Sequence, residues 1–272
     1  MDKILEKSLK VDSFDWFYRE METGENSNNT VVLLHGLPSH SYTWRHIMPA
    51  LAKYNYRSIA PDWLGSGSSS KPSTREFAYT PSAYIAALDN FLSALDLGKI
   101  SLVLQGFLGS VGIQYALKYP EKIARLVILN TPINKSAKLP WTMKQWGLPL
   151  VGEMSTQDPL LVDRTLEGGS GFVISDQDLA IYRQPFLKTS AVGRSLNAII
   201  RNLKLTESMA EIETGLPKFE PPLQIIWGDG DPWLSLEGNP PDLINLPEAK
   251  HYPQEHWHKE IAPHLLNFLG RR

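Results

Sequence analysis

The chain has 272 residues, 42% of them hydrophobic and 21% charged, with a formal net charge of -2 and no cysteine. That length suits one α/β domain carrying an insertion, and the near-neutral balance gives no general pull towards polyanions, so nucleic acid is not an expected partner. The absence of cysteine excludes disulfides, thiolate nucleophiles and Cys-based metal sites.

The N-terminal stretch MDKILEKSLK places charges every few residues and has no apolar core of a signal peptide. No uncharged apolar run approaches the ~20 residues of a membrane span. A cytosolic (cytoplasmic) protein without a membrane span is therefore expected. FDWFYRE (14–20) fits an antiparallel edge hairpin. VVLLHG (31–36), YRSIAPD (56–62), ISLVLQ (100–105), ARLVILN (124–130) and LQIIWG (223–228) are short apolar runs stopped by Gly, Pro, Asn or Asp, the pattern of fully buried parallel strands. Between them, TPSAYIAALDNFLSALDLG repeats apolar residues at helical spacing, with Thr80 as cap, Pro81 in the first turn and Gly98 at the end. The alternation predicts a mainly parallel, doubly wound sheet. From Ile133 to Phe219 it stops, and Trp-, Pro- and Gly-rich sequence leads into amphipathic patterns such as SLNAIIRNLKL. The expected organisation is a core of residues 1–132 and 220–272 with a helical lid, 133–219, inserted after the sixth strand. HKEIAPHLLNFL closes the chain as an amphipathic helix.

In open α/β sheets, functional groups gather at the carboxyl ends of the strands. Four stretches here lie at such ends: HGLPSHSYTWRHIMPAL (35–51), APDWLGSGSSSKPS (60–73), LVLQGFLGSVG (102–112), and the pair WGDGDPWL (227–234) with KHYPQE (250–255). Together they resemble the α/β-hydrolase family, and the first two resemble its haloalkane-dehalogenase and epoxide-hydrolase branch. The resemblance implies an α/β-hydrolase fold in which the Leu37 and Phe107 amides form the oxyanion hole, Asp231 is the triad acid and His251 the triad base. It also puts Gly106 at the place of the nucleophile.

Ser110 is the rival nucleophile, but choosing it requires a strand that runs through two glycines. Glycine at 106 keeps a turn that strains other residues and removes the reactive atom. Leu108 stands where the family carries Gly, and Leu37 and Phe107 replace the Asn and Trp that hold a halide in dehalogenases. Halide release is therefore not expected. His35 and Asp62 fit structural turn roles, and His40, His46, His256, His258 and His264 default to the surface. No metal-ligand spacing appears, and no cofactor is expected.

Three functions remain open. One is a hydrolase- or lyase-type enzyme using His251 and Asp231 as a non-covalent general base, another a catalytically inactive pseudo-hydrolase that binds an apolar ligand, and the third a protein-interaction module. The lid residues Trp141, Trp146, Phe172 and Tyr182, with Leu148 and Leu150, are candidate lining for a hydrophobic small molecule.

Overall fold

The computed structural model describes residues 3–22, 29–238, 240 and 242–271. Eight strands form one sheet: β1 (Leu5–Val11), β2 (Phe14–Met21), β3 (Thr30–Leu34), β4 (Arg57–Pro61), β5 (Ile100–Gln105), β6 (Ile123–Leu129), β7 (Leu223–Gly228) and β8 (Leu243–Leu246). Their order is β1-β2-β4-β3-β5-β6-β7-β8. The β1–β2 and β2–β4 pairings are antiparallel and the others parallel, so FDWFYRE does belong to an antiparallel edge hairpin. The helices are α1 (Ile47–Ala52), α2 (Pro81–Ala94), α3 (Gly106–Lys118), α4 (Trp141–Lys144), α5 (Val151–Ser155), α6 (Leu160–Ser170), α7 (Asp176–Lys188), α8 (Ala191–Asn202), α9 (Leu205–Gly215), α10 (Pro253–His256) and α11 (His258–Gly270).

Every residue of β3 and β5 is buried, which explains why their sequences show no polar alternation. Successive side chains point to opposite faces, and both faces are covered. Val32, Leu34, Leu102 and Leu104 join the core beneath α2 and α3, whereas Val31, Leu33 and Val103 join the core beneath α1 and α11. The small residues of α3 allow close packing, since a Cβ on Gly112 would fall 2.4 Å from a Leu104 methyl.

Three features differ from the sequence reading. Thr80 does cap α2, accepting from the Ala83 amide, but the helix ends at Ala94 and not at Gly98. Asp96 supplies the left-handed residue with φ 50°, a conformation that a short polar side chain tolerates. The edge strands β1 and β8 have partly exposed, mixed patterns, and such blunted edges carry little apolar signal. Of the histidines expected at the surface, His40 is buried, because α7 covers it and Tyr182 packs on its ring at 5.0 Å.

The helices α4 to α9 are inserted between β6 and β7. Polar contacts pin the insertion to the carboxyl end of the sheet: Tyr42 donates to Asp178 at 2.7 Å, Arg45 pairs with Asp178 at 3.2 Å, and the His251 amide donates to the Gly169 carbonyl at 2.9 Å. Among the described residues, no helix is long and apolar enough to cross a membrane.

Candidate active site

The turn from β5 into α3 falls at Gln105 and Gly106, and Gly106 has φ 75°, where a side chain is strained. A Cβ at 106 would lie 2.9 Å from the Gly36 Cα and 3.6 Å from His251 Nε2, while a Cβ at 36 would lie 2.9 Å from the Gly106 Cα. The two backbones touch because both residues are glycine. Ser110 lies inside α3, buried, and its hydroxyl donates to the Phe107 carbonyl at 2.7 Å.

Asp231 follows β7 and His251 precedes α10, and the fold brings them together. His251 Nδ1 and Asp231 Oδ2 are 2.8 Å apart, with both side chains fully buried. The Trp233 and Leu234 amides donate to Asp231 Oδ1 at 2.8 and 3.1 Å, and Asn130 Nδ2 donates to Oδ2 at 2.9 Å. Burial would raise the Asp231 carboxyl, but His251 and these donors outweigh it and hold it below the ordinary aspartate value. An ionised Asp231 accepts the Nδ1–H, which leaves the lone pair on Nε2. That nitrogen is buried and has no hydrogen-bond partner among the described residues. Phe107, Trp233 and Tyr252 surround the imidazole, with ring centroids 5.5, 4.7 and 4.8 Å away.

Leu37 follows Gly36 in the loop after β3, and Phe107 follows Gly106 in the first turn of α3, the two glycines being in backbone contact. The loop bearing Leu37 is held by Tyr252, whose hydroxyl donates to the Leu37 carbonyl at 2.6 Å. Burial raises the Tyr252 phenol well above its usual value, so it stays a neutral donor. Gln105 Nε2 donates to the His251 carbonyl at 2.7 Å and so ties the histidine loop to the β5 end. His35 accepts from the Trp63 amide through Nε2 at 3.1 Å, which puts the proton on Nδ1, 2.8 Å from the Gly36 carbonyl. Asp62 accepts from the Ser41 and Ser68 amides, each at 2.7 Å. Both residues shape the loops around the site. Among the described residues, no three His, Asp or Glu side chains converge as metal ligands would.

The lid aromatics do not converge on His251. Trp146 is buried and lines a cavity of about 310 Å³ with Leu161, Thr165 and Trp233, and Trp233 also packs on the His251 imidazole. Trp141 is exposed, Phe172 stacks on His256 at 3.5 Å, and the buried Tyr182 hydroxyl binds the Glu255 carboxylate. Leu148 is half-buried and Leu150 exposed. Sequence reasoning missed Asn130, Gln105, Trp233 and Tyr252. Asn130 carried a signal, a polar residue ending an apolar strand, and the others became legible only once the loops were brought together.

The chain matches the family model for the alpha/beta hydrolase fold over residues 29–161. It is 28% identical to the cis-3-alkyl-4-alkyloxetan-2-one decarboxylase of Xanthomonas campestris pv. campestris, with 92% of this chain and 91% of that protein covered. It is 30% identical to a haloalkane dehalogenase of Mesorhizobium japonicum over 59% of this chain and 53% of that protein. The solved structure of the haloalkane dehalogenase DbeA from Bradyrhizobium elkani superimposes with a TM-score of 0.84 at 25% identity, covering 98% of both chains. The chain has the α/β-hydrolase fold and is homologous to enzymes of the decarboxylase and dehalogenase type.

Proposed function

We propose that this α/β-hydrolase-fold chain is a hydrolase-type enzyme that works without a covalent intermediate, with Gly106 standing where the fold carries its nucleophile. His251, oriented by Asp231, is the general base, and the Leu37 and Phe107 amides are the oxyanion donors. The observation that carries the reading is His251 Nε2, buried and unpartnered, 3.6 Å from the point where a Cβ on residue 106 would sit. A buried basic nitrogen left without a partner costs on the order of 1–3 kcal/mol, which a water or substrate hydrogen bond offsets.

In the proposed reaction, Nε2 takes a proton from a water above Gly106 as its oxygen attacks a carbonyl carbon. Charge develops on the carbonyl oxygen, where the two amides stabilise it. Collapse of the tetrahedral intermediate breaks the acyl C–O bond, and the imidazolium returns its proton to the departing alkoxide. The products are a carboxylic acid and an alcohol. The apolar rings of Phe107, Trp233 and Tyr252 around His251 favour an ester or lactone with hydrophobic substituents, in keeping with the alkyl oxetanone named for the Xanthomonas relative. Halide displacement is not part of the proposal, since residue 106 has no carboxylate to attack carbon.

Turnover of a panel of alkyl esters and four-membered lactones by the native chain and a His251→Gln variant tests the proposal. Capture of an apolar ligand without turnover is the second reading, favoured by the missing nucleophile. Binding of a panel member with no product from the native chain would establish it instead.

A further inference from the structure

Among the described residues, nine large apolar side chains stand exposed, and five of them, Trp141, Leu150, Val151, Met154 and Leu160, lie between positions 141 and 160. They sit on α4, at or just before α5, and at the start of α6, and residues of all three helices line one cavity. The Gly152 amide donates to the Leu148 carbonyl at 2.8 Å, and a Cβ on Gly152 would fall 2.1 Å from the Trp146 carbonyl oxygen. Thr142, Ser155 and Leu161, the chain neighbours of Trp141, Met154 and Leu160, line the same cavity. The segments that carry the exposed side chains therefore border one cavity.

Leu150 is the most informative of them. Its φ of 62° and ψ of -58°, with the Val151 amide 2.7 Å from the Pro149 carbonyl, make it the centre of the strained form of the γ-turn. Its side chain is 73% exposed, so no packing compensates the strain. Glycine would occupy the turn more readily and without presenting an apolar surface to water. Met154 is 78% exposed and Trp141 67%. Beside them Lys138 and Lys144 are exposed, and neither forms an ion pair among the described residues. Of the acids in the stretch, Asp158 is paired with Arg164 and Glu153 lines a separate cavity beside Arg194 and Arg201.

We infer that this rim of the insertion docks on an anionic lipid surface, with Trp141, Leu150, Val151 and Met154 entering the interface and Lys138 and Lys144 facing the headgroups. Protruding apolar tips with a tryptophan and flanking lysines suit a bilayer interface. Protein–protein contacts are instead depleted in lysine. The inference stands independently of the chemistry at His251.

Co-sedimentation of the full chain with phosphatidylcholine vesicles, with and without three parts in ten of phosphatidylglycerol, tests it. Binding to the anionic vesicles is expected, weakening as salt rises from about 0.1 to 1 M, where the screening length falls from ~10 to ~3 Å. Leu150→Asn removes the apolar tip of a side chain that is exposed, so the partition coefficient should fall roughly tenfold while the melting temperature holds. Lys144→Gln should lower anionic binding roughly fivefold and leave neutral vesicles unaffected. No binding to anionic vesicles at low salt would overturn the inference, as would a Leu150→Asn variant that is less stable yet binds unchanged. A concentration-dependent dimer seen by ultracentrifugation and abolished by Leu150→Asn would reassign the surface to self-association.

Discussion

Replacing Gly106 by serine asks whether the site remains poised for nucleophilic chemistry. The backbone already holds φ at 75°, and the introduced Cβ would stand 3.6 Å from His251 Nε2, so a hydroxyl one bond further falls within hydrogen-bond reach of the base. The same Cβ would lie 2.9 Å from the Gly36 Cα, a backbone atom that must yield. Strain at a left-handed residue costs about 1–3 kcal/mol, and the contact with Gly36 adds to it. At about 2–4 °C per kcal/mol for a chain of this size, the melting temperature should fall by roughly 5–10 °C. Mass spectrometry after treatment with a serine-reactive phosphonate should find the native chain unlabelled and the variant labelled at position 106. That labelling should be lost when His251 is also replaced. Labelling of the native chain at Ser110, or a folded variant that stays unlabelled, would refute the geometry of base and turn described here.

Bromide release from short bromoalkanes should be undetectable by ion chromatography, and steady release that depends on His251 would contradict the role assigned to Gly106. Stability should fall with acidification as buried His40, pushed down by burial to about 4, stays neutral while the unfolded chain takes up a proton near pH 6.5. Its contribution is complete above pH 6.5 and is lost as pH drops from there towards 4. Thermal melts of native and His40→Asn chains should show a shallower slope in the variant, and equal slopes would rule His40 out as the cause. Trp233 packs on His251 and lines the cavity on the insertion, so removing its ring should open a path from that cavity to the imidazole. Trp233→Ala should therefore make His251 as reactive towards diethyl pyrocarbonate as exposed His256, and peptide mapping that finds His251 unreacted would show another wall protecting it.

The central strands were legible because each is largely apolar and is followed by a turn-forming residue, which leaves few alternatives once both faces of a sheet are covered. The edge strands were not, because β1 alternates charge with weak apolarity and β8 spans only Leu243–Leu246. The pairing of Asp231 with His251 and the turn at Gly106 were legible because each residue lies near a strand end in a recognisable local pattern. Asn130 and Gln105 act through partners about 100 and 146 positions away, a distance that periodicity does not encode. The lid aromatics were identified as a group by composition alone. Their separate fates depend on helix packing: Trp146 at the cavity, Tyr182 on Glu255, Phe172 on His256 and Trp141 in solvent.

The central claim is general-base catalysis by His251 without an enzyme-bound intermediate. Product formation from a hydrophobic four-membered lactone by the native and His251→Gln chains, with the intact protein mass recorded during turnover, tests it most directly. The native chain should turn the lactone over, the variant should lose roughly 100-fold or more in rate, and the protein mass should stay unchanged throughout. Turnover surviving in His251→Gln, or an acyl adduct accumulating on the native chain, would contradict it.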